Sequence, residues 1–236
     1  MTARIYFITG TDTDVGKTVV TAALLCAMQA EGRRAIAAKP VQTGARDGAD
    51  DLGWCWSFSR IAFSEEDRRD AAPYRFDLPA SPHLAAARAG IGIDLERIVE
   101  GINRLAARFD VVLVEGAGGL LVPLNDRHTM LDLALALSST PFVVGRNALG
   151  TLNHTSLTVA ELDRHRHPPA AVVLNHATPI AQTDDAIIRA DNIDTLSRRL
   201  HPIPVIDFPH HLHITRETLT AAGRLIINRW AIGDRR

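Results

Sequence analysis

At 236 residues, with 46% hydrophobic and 22% charged residues, the chain has the composition of a folded globular protein and not of a disordered or fibrous one. Its 26 Lys and Arg against 27 Asp and Glu leave a formal charge of −1, so no global field draws it to nucleic acid or to an anionic membrane. Two cysteines, Cys26 and Cys55, stand without CxxC or Cys/His spacing, which excludes a disulfide framework and a tetrahedral zinc site and suits a reducing compartment.

The chain enters an apolar run at 5–9 without a basic leader, and no stretch of about eighteen uncharged apolar residues follows; the expectation is a cytoplasmic protein outside membranes. Further short apolar runs lie at 35–38, 111–114, 142–145, 171–174 and 203–206. Such fully apolar runs suit parallel strands covered on both faces. Between them, helical spacing predicts helices over 19–31, 95–109, 131–137, 157–166, 186–200 and 219–230. Strands alternating with helices predict an α/β fold, a mostly parallel doubly wound sheet with helices on both faces, in one domain over residues 1–236. The segment 42–92, with Pro73, Pro79 and Pro82, is the least regular and reads as an insertion over the sheet's active edge. Ligands of such sheets bind beyond the carboxyl ends of the strands, so the residues after each apolar run carry the functional reading.

The first run leads into Gly10-Thr11-Asp12-Thr13-Asp14-Val15-Gly16-Lys17-Thr18 and then a helix. Strand, glycine-rich loop and helix N-terminus are the parts of a phosphate-binding P-loop: inward N–H groups, a lysine for the terminal phosphates and a hydroxyl for Mg²⁺. Five residues, not the usual four, separate Gly10 from Gly16, an extended form that still sets Gly16-Lys17-Thr18 at the helix start. The second strand ends in Lys39-Pro40-Val41-Gln42-Thr43-Gly44, placing a second cation where phosphoryl transfer needs charge. After 111–114 comes Glu115-Gly116-Ala117-Gly118-Gly119, a strand-tip carboxylate suited to Mg²⁺ followed by small residues that admit close approach to phosphates. Asp50 and Asp51 are both available to complete the metal site.

These residues, with Ser81-Pro82-His83 and Leu149-Gly150-Thr151-Leu152-Asn153-His154, resemble dethiobiotin synthetases, in order and over most of the chain. The resemblance implies a P-loop NTPase fold and a homodimeric Mg²⁺-ATP-dependent ligase of biotin biosynthesis. It would convert 7,8-diaminopelargonic acid and CO₂ to dethiobiotin through a carbamate and a carbamic-phosphoric anhydride. It further implies Thr18, Asp50 and Glu115 as metal ligands, Asp14, Val15, Gly16, Lys17, Thr18 and Gly118 around the nucleotide phosphates, and Lys17 and Lys39 as the catalytic lysines. Asn175 then recognises the adenine, Phe208-Pro209-His210 walls it, and Thr43, Gly150, Thr151 and Asn153 bind substrate, the last three across the subunit interface. Two positions depart from the family's pattern: Asp14, often Glu, and Asp207, usually apolar.

Rival readings are a cobyrinate-type amidotransferase, for whose glutamine-hydrolysing domain no chain remains, and a partitioning or metallochaperone switch. The switch's second loop lysine would stand at Thr11, and it has no use for 150–154. A homologue diverted to another diamine, or one using CTP, shares the same motifs. The histidines of 165–167 and 210–213 lack acidic or cysteine partners at ligand spacing and read as solvated loop ends. Trp54 and Trp56 read as a satellite of the core rather than a lid.

Overall fold

The computed structural model describes residues 3–45, 50–179, 182–210 and 213–233. Strand β1 (Arg4–Gly10) leads into helix α1 (Lys17–Ala30), then β2 (Ala35–Ala38) and the short β3 (Val41–Gln42). Helices α2 (Asp51–Ser57) and α3 (Glu65–Ala71), strand β4 (Tyr74–Arg75) and helices α4 (Pro82–Ala89) and α5 (Leu95–Arg108) follow. Then come β5 (Val111–Gly119), α6 (Met130–Ala136), β6 (Thr140–Arg146), α7 (Thr151–Arg164), β7 (Ala171–Asn175), α8 (Thr183–Arg199), β8 (Val205–Phe208) and α9 (Arg216–Gly233).

Six strands form one sheet in the order β2-β5-β1-β6-β7-β8, and every pairing in it is parallel. The chain steps in one direction only from β1 to β2 and in the other thereafter, so right-handed crossovers put α1 on one face and the later crossover helices α5, α6, α7 and α8 on the other. Helix α9 closes over α1, while α7 and α8 pack together over an apolar layer of Val143, Val159, Leu162, Val172 and Leu196. Coverage on both sides is why Phe7, Ile8, Leu113, Val114, Phe142 and Val173 are fully buried. All strands point their carboxyl ends to one edge, and the loops there carry the site.

Three expectations are corrected. Segment 42–92 is largely regular, with α2, α3, α4 and the two-stranded sheet of β3 and β4. Its helices are 7 or 8 residues long, too short for a periodicity window, and are set by their ends. Asp50 caps α2, Ser64 and Asp67 form a capping box on α3, and Pro82 with Gly90 bounds α4. The last strand starts at Val205, because prolines 202 and 204 cannot donate to a ladder; the Pro204 carbonyl accepts from Val172 at 3.0 Å and pairing begins after it. Helix α7 begins at Thr151, two turns earlier than the apolar spacing predicts, since its first turns carry polar residues. Trp54 and Trp56 pack against the core, and Trp56 Nε1 donates to the Ala37 carbonyl at 3.0 Å.

Candidate active site

The loop between β1 and α1 turns through Asp14 at φ 55° and Gly16 at φ 100°, a backbone region that admits glycine without strain. Gly16 is also confined in space, since a Cβ there would collide with the amide nitrogen of Asn175. The turn directs the N-terminus of α1, with its unpaired N–H groups and favourable dipole, into a cavity of about 730 Å³. Its walls include Asp14, Gly16, Lys17, Thr18, Lys39, Thr43, Asp51, Ser81, Glu115 and Gly118. The sheet gathers these residues because β2 and β5 are in register, Ala38 beside Val114, so Lys39 and Glu115 emerge together at the strand ends.

Glu115, 4% exposed, is the centre of the arrangement. One of its oxygens, Oε1, accepts from Thr18 Oγ1 at 2.8 Å and from Lys39 Nζ at 3.0 Å. Lys39 also donates to Asp51 Oδ2, so its ammonium stands between two carboxylates. Burial opposes that charge, but Glu115 and Asp51 outweigh it and raise the Lys39 pKa above its ordinary value. Lys17 donates to the Asp12 carbonyl at 2.9 Å; burial lowers its pKa, and the charge of Lys39 adds to the lowering, against the opposing pull of Glu115. Thr18, Asp51 and Glu115 bring a hydroxyl and two carboxylates to the same cavity, the hard oxygen donors that Mg²⁺ prefers.

The two adjacent aspartates are separated by the start of α2. Asp50, as N-cap, turns its carboxylate back to the Gly53 N–H at 2.9 Å and to Arg68 at 3.0 Å and Arg75 at 3.1 Å. Burial alone would raise its pKa; the Gly53 N–H and the two arginines outweigh burial and lower it. Asp50 does not line the cavity, and Asp51 does. The structure therefore places Asp51, rather than the expected Asp50, beside Glu115.

Other expected residues lie around this centre. Val15, within the loop, is buried, and Asn175 at the end of β7 donates to its carbonyl at 2.9 Å. Pro209 and His210 follow β8, whose Phe208 pairs with Asn175; His210 Nδ1 lies 3.1 Å from the His176 carbonyl. His211 lies outside the described residues. Gly150, Thr151 and Asn153 stand at the start of α7 and do not line the cavity. Ser81 and Pro79 do line it, at the start of α4, a contribution signalled in the sequence only by the Ser-Pro-His motif. Asp207, the departure from the family's pattern, faces His176, with Oδ1 2.5 Å from Nε2.

Residues 4–212 match a family model described as an AAA domain. The chain is 42% identical over 210 residues to the ATP-dependent dethiobiotin synthetase of Anaeromyxobacter dehalogenans (strain 2CP-C), covering 89% of this chain and 92% of the relative. It is 37% identical to that of Halalkalibacterium halodurans, covering 87% and 84%. Among solved structures, it resembles the MinC:MinD cell division complex of Aquifex aeolicus with a TM-score of 0.55 at 14% identity, covering 99% and 95% of the two chains. It also resembles a ParA family ATPase of Chlorobium tepidum with a TM-score of 0.52 at 15% identity, covering 96% and 92%. At these identities the structural likeness speaks for the P-loop fold alone.

Proposed function

The chain belongs to the ATP-dependent dethiobiotin synthetase family, and we propose that it closes the urea ring of dethiobiotin from 7,8-diaminopelargonic acid and CO₂, as a step of biotin synthesis in the cytoplasm. The observation that carries this reading is Lys39, which lines the cavity at the end of β2 and is held there by Glu115 at 3.0 Å and by Asp51. A hydrolytic switch carries its second lysine in the phosphate loop, where this chain has Thr11. A buried second cation that comes instead from the end of β2 serves an acceptor that is itself an anion, and a carbamate is one.

An amine of the substrate adds to CO₂ and loses a proton, giving the carbamate. The γ-phosphoryl then passes from ATP to a carbamate oxygen: the bond to the β,γ-bridging oxygen breaks, ADP leaves with that oxygen, and a phosphorus–oxygen bond to the carbamate forms. The second amine attacks the carbonyl carbon, loses a proton, and phosphate departs with the former carbamate oxygen. The chain's own groups bind and align these partners, neutralise charge and exclude water. Lys17 and the N–H groups of residues 14–18 hold the β- and γ-phosphates. Lys39 bridges the migrating phosphoryl and the carbamate, and Thr43 with Ser81 positions the amines. Thr18, Asp51 and Glu115 would hold Mg²⁺, which offsets phosphate charge when bound.

Asn175, with Pro209 and His210, takes the adenine. The start of α7 takes the substrate's distant carboxylate on the cavity of a second subunit, in a homodimer. The whole chain acts as one domain. No covalent enzyme intermediate is needed, and the two cysteines are buried with thiols that burial pushes up, Cys26 to about 11 and Cys55 well above its ordinary value. The test is ATP-dependent fixation of labelled bicarbonate into an acid-stable product with purified protein and the diamine. ATP hydrolysis without label retention would refute the assignment.

A further inference from the structure

Behind the base site lies a buried polar cluster that phosphoryl transfer does not use. Arg189, on α8, is 8% exposed, and among the described residues it makes no direct ion pair. A buried guanidinium is costly unless its N–H groups are satisfied. Those of Arg189 reach the segment just after β7: Nη1 donates to the Thr178 carbonyl at 2.9 Å and lies 3.2 Å from Nδ1 of His176. Nη2 donates to Thr178 Oγ1 at 3.2 Å and points at the Pro179 carbonyl at 3.4 Å.

An arginine only donates, so Nδ1 of His176 is the acceptor and the ring proton sits on Nε2. That nitrogen is 2.5 Å from Asp207 Oδ1, which receives the proton's hydrogen bond. The Asn147 amide nitrogen, 3.2 Å from the same ring nitrogen, therefore does not donate to it and directs one of its two hydrogens to the Arg189 carbonyl at 3.2 Å. Asn192 in turn donates to Asn147 Oδ1 at 3.0 Å. The result is a line from guanidinium through a neutral imidazole to a carboxylate, anchored on α8 and on the end of β6.

His176 follows Asn175 directly, and its backbone is held as firmly as its ring. Its N–H donates to the Phe208 carbonyl at 2.9 Å, and its own carbonyl lies 3.1 Å from His210 Nδ1. Fixing this one residue thus fixes Asn175 on one side and His210 on the other. We infer that Arg189, acting through His176, is the positioning residue that holds the base-recognition edge in register and sets the selectivity for adenine. This inference rests on the reading that Asn175 and His210 receive the base. Asp207 then has a role as the far anchor of His176, where an apolar residue would leave the ring proton unpaired.

The test is steady-state kinetics of Arg189→Met, which keeps the aliphatic stem, with ATP and CTP as alternative co-substrates. KM for ATP should rise about tenfold, kcat at saturating ATP should stay within about twofold, and the preference for ATP over CTP should fall about tenfold. Arg189→Lys should recover part of the loss. A purely structural role would lower the amount of active enzyme, hence kcat, and leave KM and selectivity unmoved. If Arg189→Met does not fold, Asp207→Ala, at a half-exposed position, releases His176 from the other end and should raise KM for ATP about threefold. Asn175→Ala separates the two readings: unchanged ATP affinity and selectivity there would sink the base site itself. A change there with none in Arg189→Lys, Arg189→Met or Asp207→Ala would sink the positioning role alone.

Discussion

Lys39 Nζ lies 3.0 Å from Glu115 Oε1, although 76 residues separate the two in the chain. Parallel pairing of β2 with β5 makes them neighbours, and Glu115 with Asp51 raises the lysine's pKa in spite of burial. Lys17, 7% exposed in the same cavity, is shifted the opposite way because burial dominates there. Two carboxylates thus offset burial at Lys39, whereas at Lys17 burial is the largest influence and phosphate oxygens would supply a further anionic partner.

Lys39→Gln should lower kcat by about 10²- to 10³-fold, because charge on the oxygens between phosphoryl group and carbamate is greatest in the transition state. KM for ATP should change by less than about threefold, since Lys17 and the α1 N-terminus still hold the phosphates. Steady-state kinetics with ATP varied at saturating diamine reads both numbers. A variant that loses ATP affinity and keeps kcat would contradict this division.

Asp51→Asn and Asp50→Asn should behave differently although the residues are adjacent. Asp51→Asn removes a carboxylate from the cavity wall and a partner of Lys39, so kcat should fall about 10²-fold and the Mg²⁺ concentration for half-maximal activity should rise. Asp50→Asn keeps an N-cap for α2 but loosens Arg68 and Arg75; kcat should fall no more than about threefold, with about 1 kcal/mol lost in stability. Mg²⁺ titration of activity and urea denaturation of both variants check this. The reverse order of effects would return the metal site to Asp50.

Lys39 and Glu115 were legible because each follows a run of apolar residues that only a doubly covered parallel strand explains, and Lys17 and Thr18 because they end a glycine-rich loop that follows another such run. Asp50 and Asp51 were not separable, because their roles depend on where a 7-residue helix begins, and on Arg68 and Arg75 arriving from elsewhere in the fold. The same brevity hid α3 and α4, whose caps decide their extent where periodicity has too few turns to register. Arg189 gave no sequence signal either, since a single arginine on a polar helix reads as solvent-facing until α8 is docked beside β7.

Asp70, 5% exposed, pins α3 to α5 by accepting from Arg104 Nε at 2.9 Å and Arg108 Nη2 at 2.7 Å. Burial alone would raise its pKa; the two arginines outweigh it, so the folded-state pKa is lowered. A carboxyl whose pKa falls on folding stabilises the fold above the usual carboxylate range, and that stabilisation is lost as pH falls through the folded-state pKa. Asp70→Asn should therefore cost about 2 kcal/mol at neutral pH, less than for a wholly buried pair because the arginines are partly exposed. The gap to the parent protein should narrow below about pH 4. Urea denaturation at neutral and acid pH measures it, and a gap that widened on acidification would reverse the assignment.

Asn153 offers the sharpest probe of a site shared between subunits. Helix α7 runs 14 residues from Thr151, and its N-cap Gly150 holds φ 93° and gives no side-chain cap; the Thr151 N–H donates to the Ala148 carbonyl at 3.1 Å, which leaves the N–H groups of Leu152 and Asn153 for a carboxylate. Thr151 is unsuited to the test: it is 4% exposed with Oγ1 3.3 Å from Thr155 Oγ1, and a charge there would disturb packing inside its own chain. Asn153 is exposed two residues further on, and Leu149 at 90% and Leu157 at 62% exposure flank it as apolar surface that a second copy would cover. In the proposed shared site the helix that meets the substrate's carboxylate is the partner's, in keeping with a phosphate cavity lined by other residues of the chain. Asn153→Glu should raise KM for the diamine at least about tenfold and leave KM for ATP nearly unchanged, because the added carboxylate repels the substrate's own at the helix end. Leu149→Asp should shift the protein toward monomer in analytical ultracentrifugation and lose activity in proportion. Normal diamine binding by Asn153→Glu, or a Leu149→Asp monomer with full activity, would place the substrate within one chain.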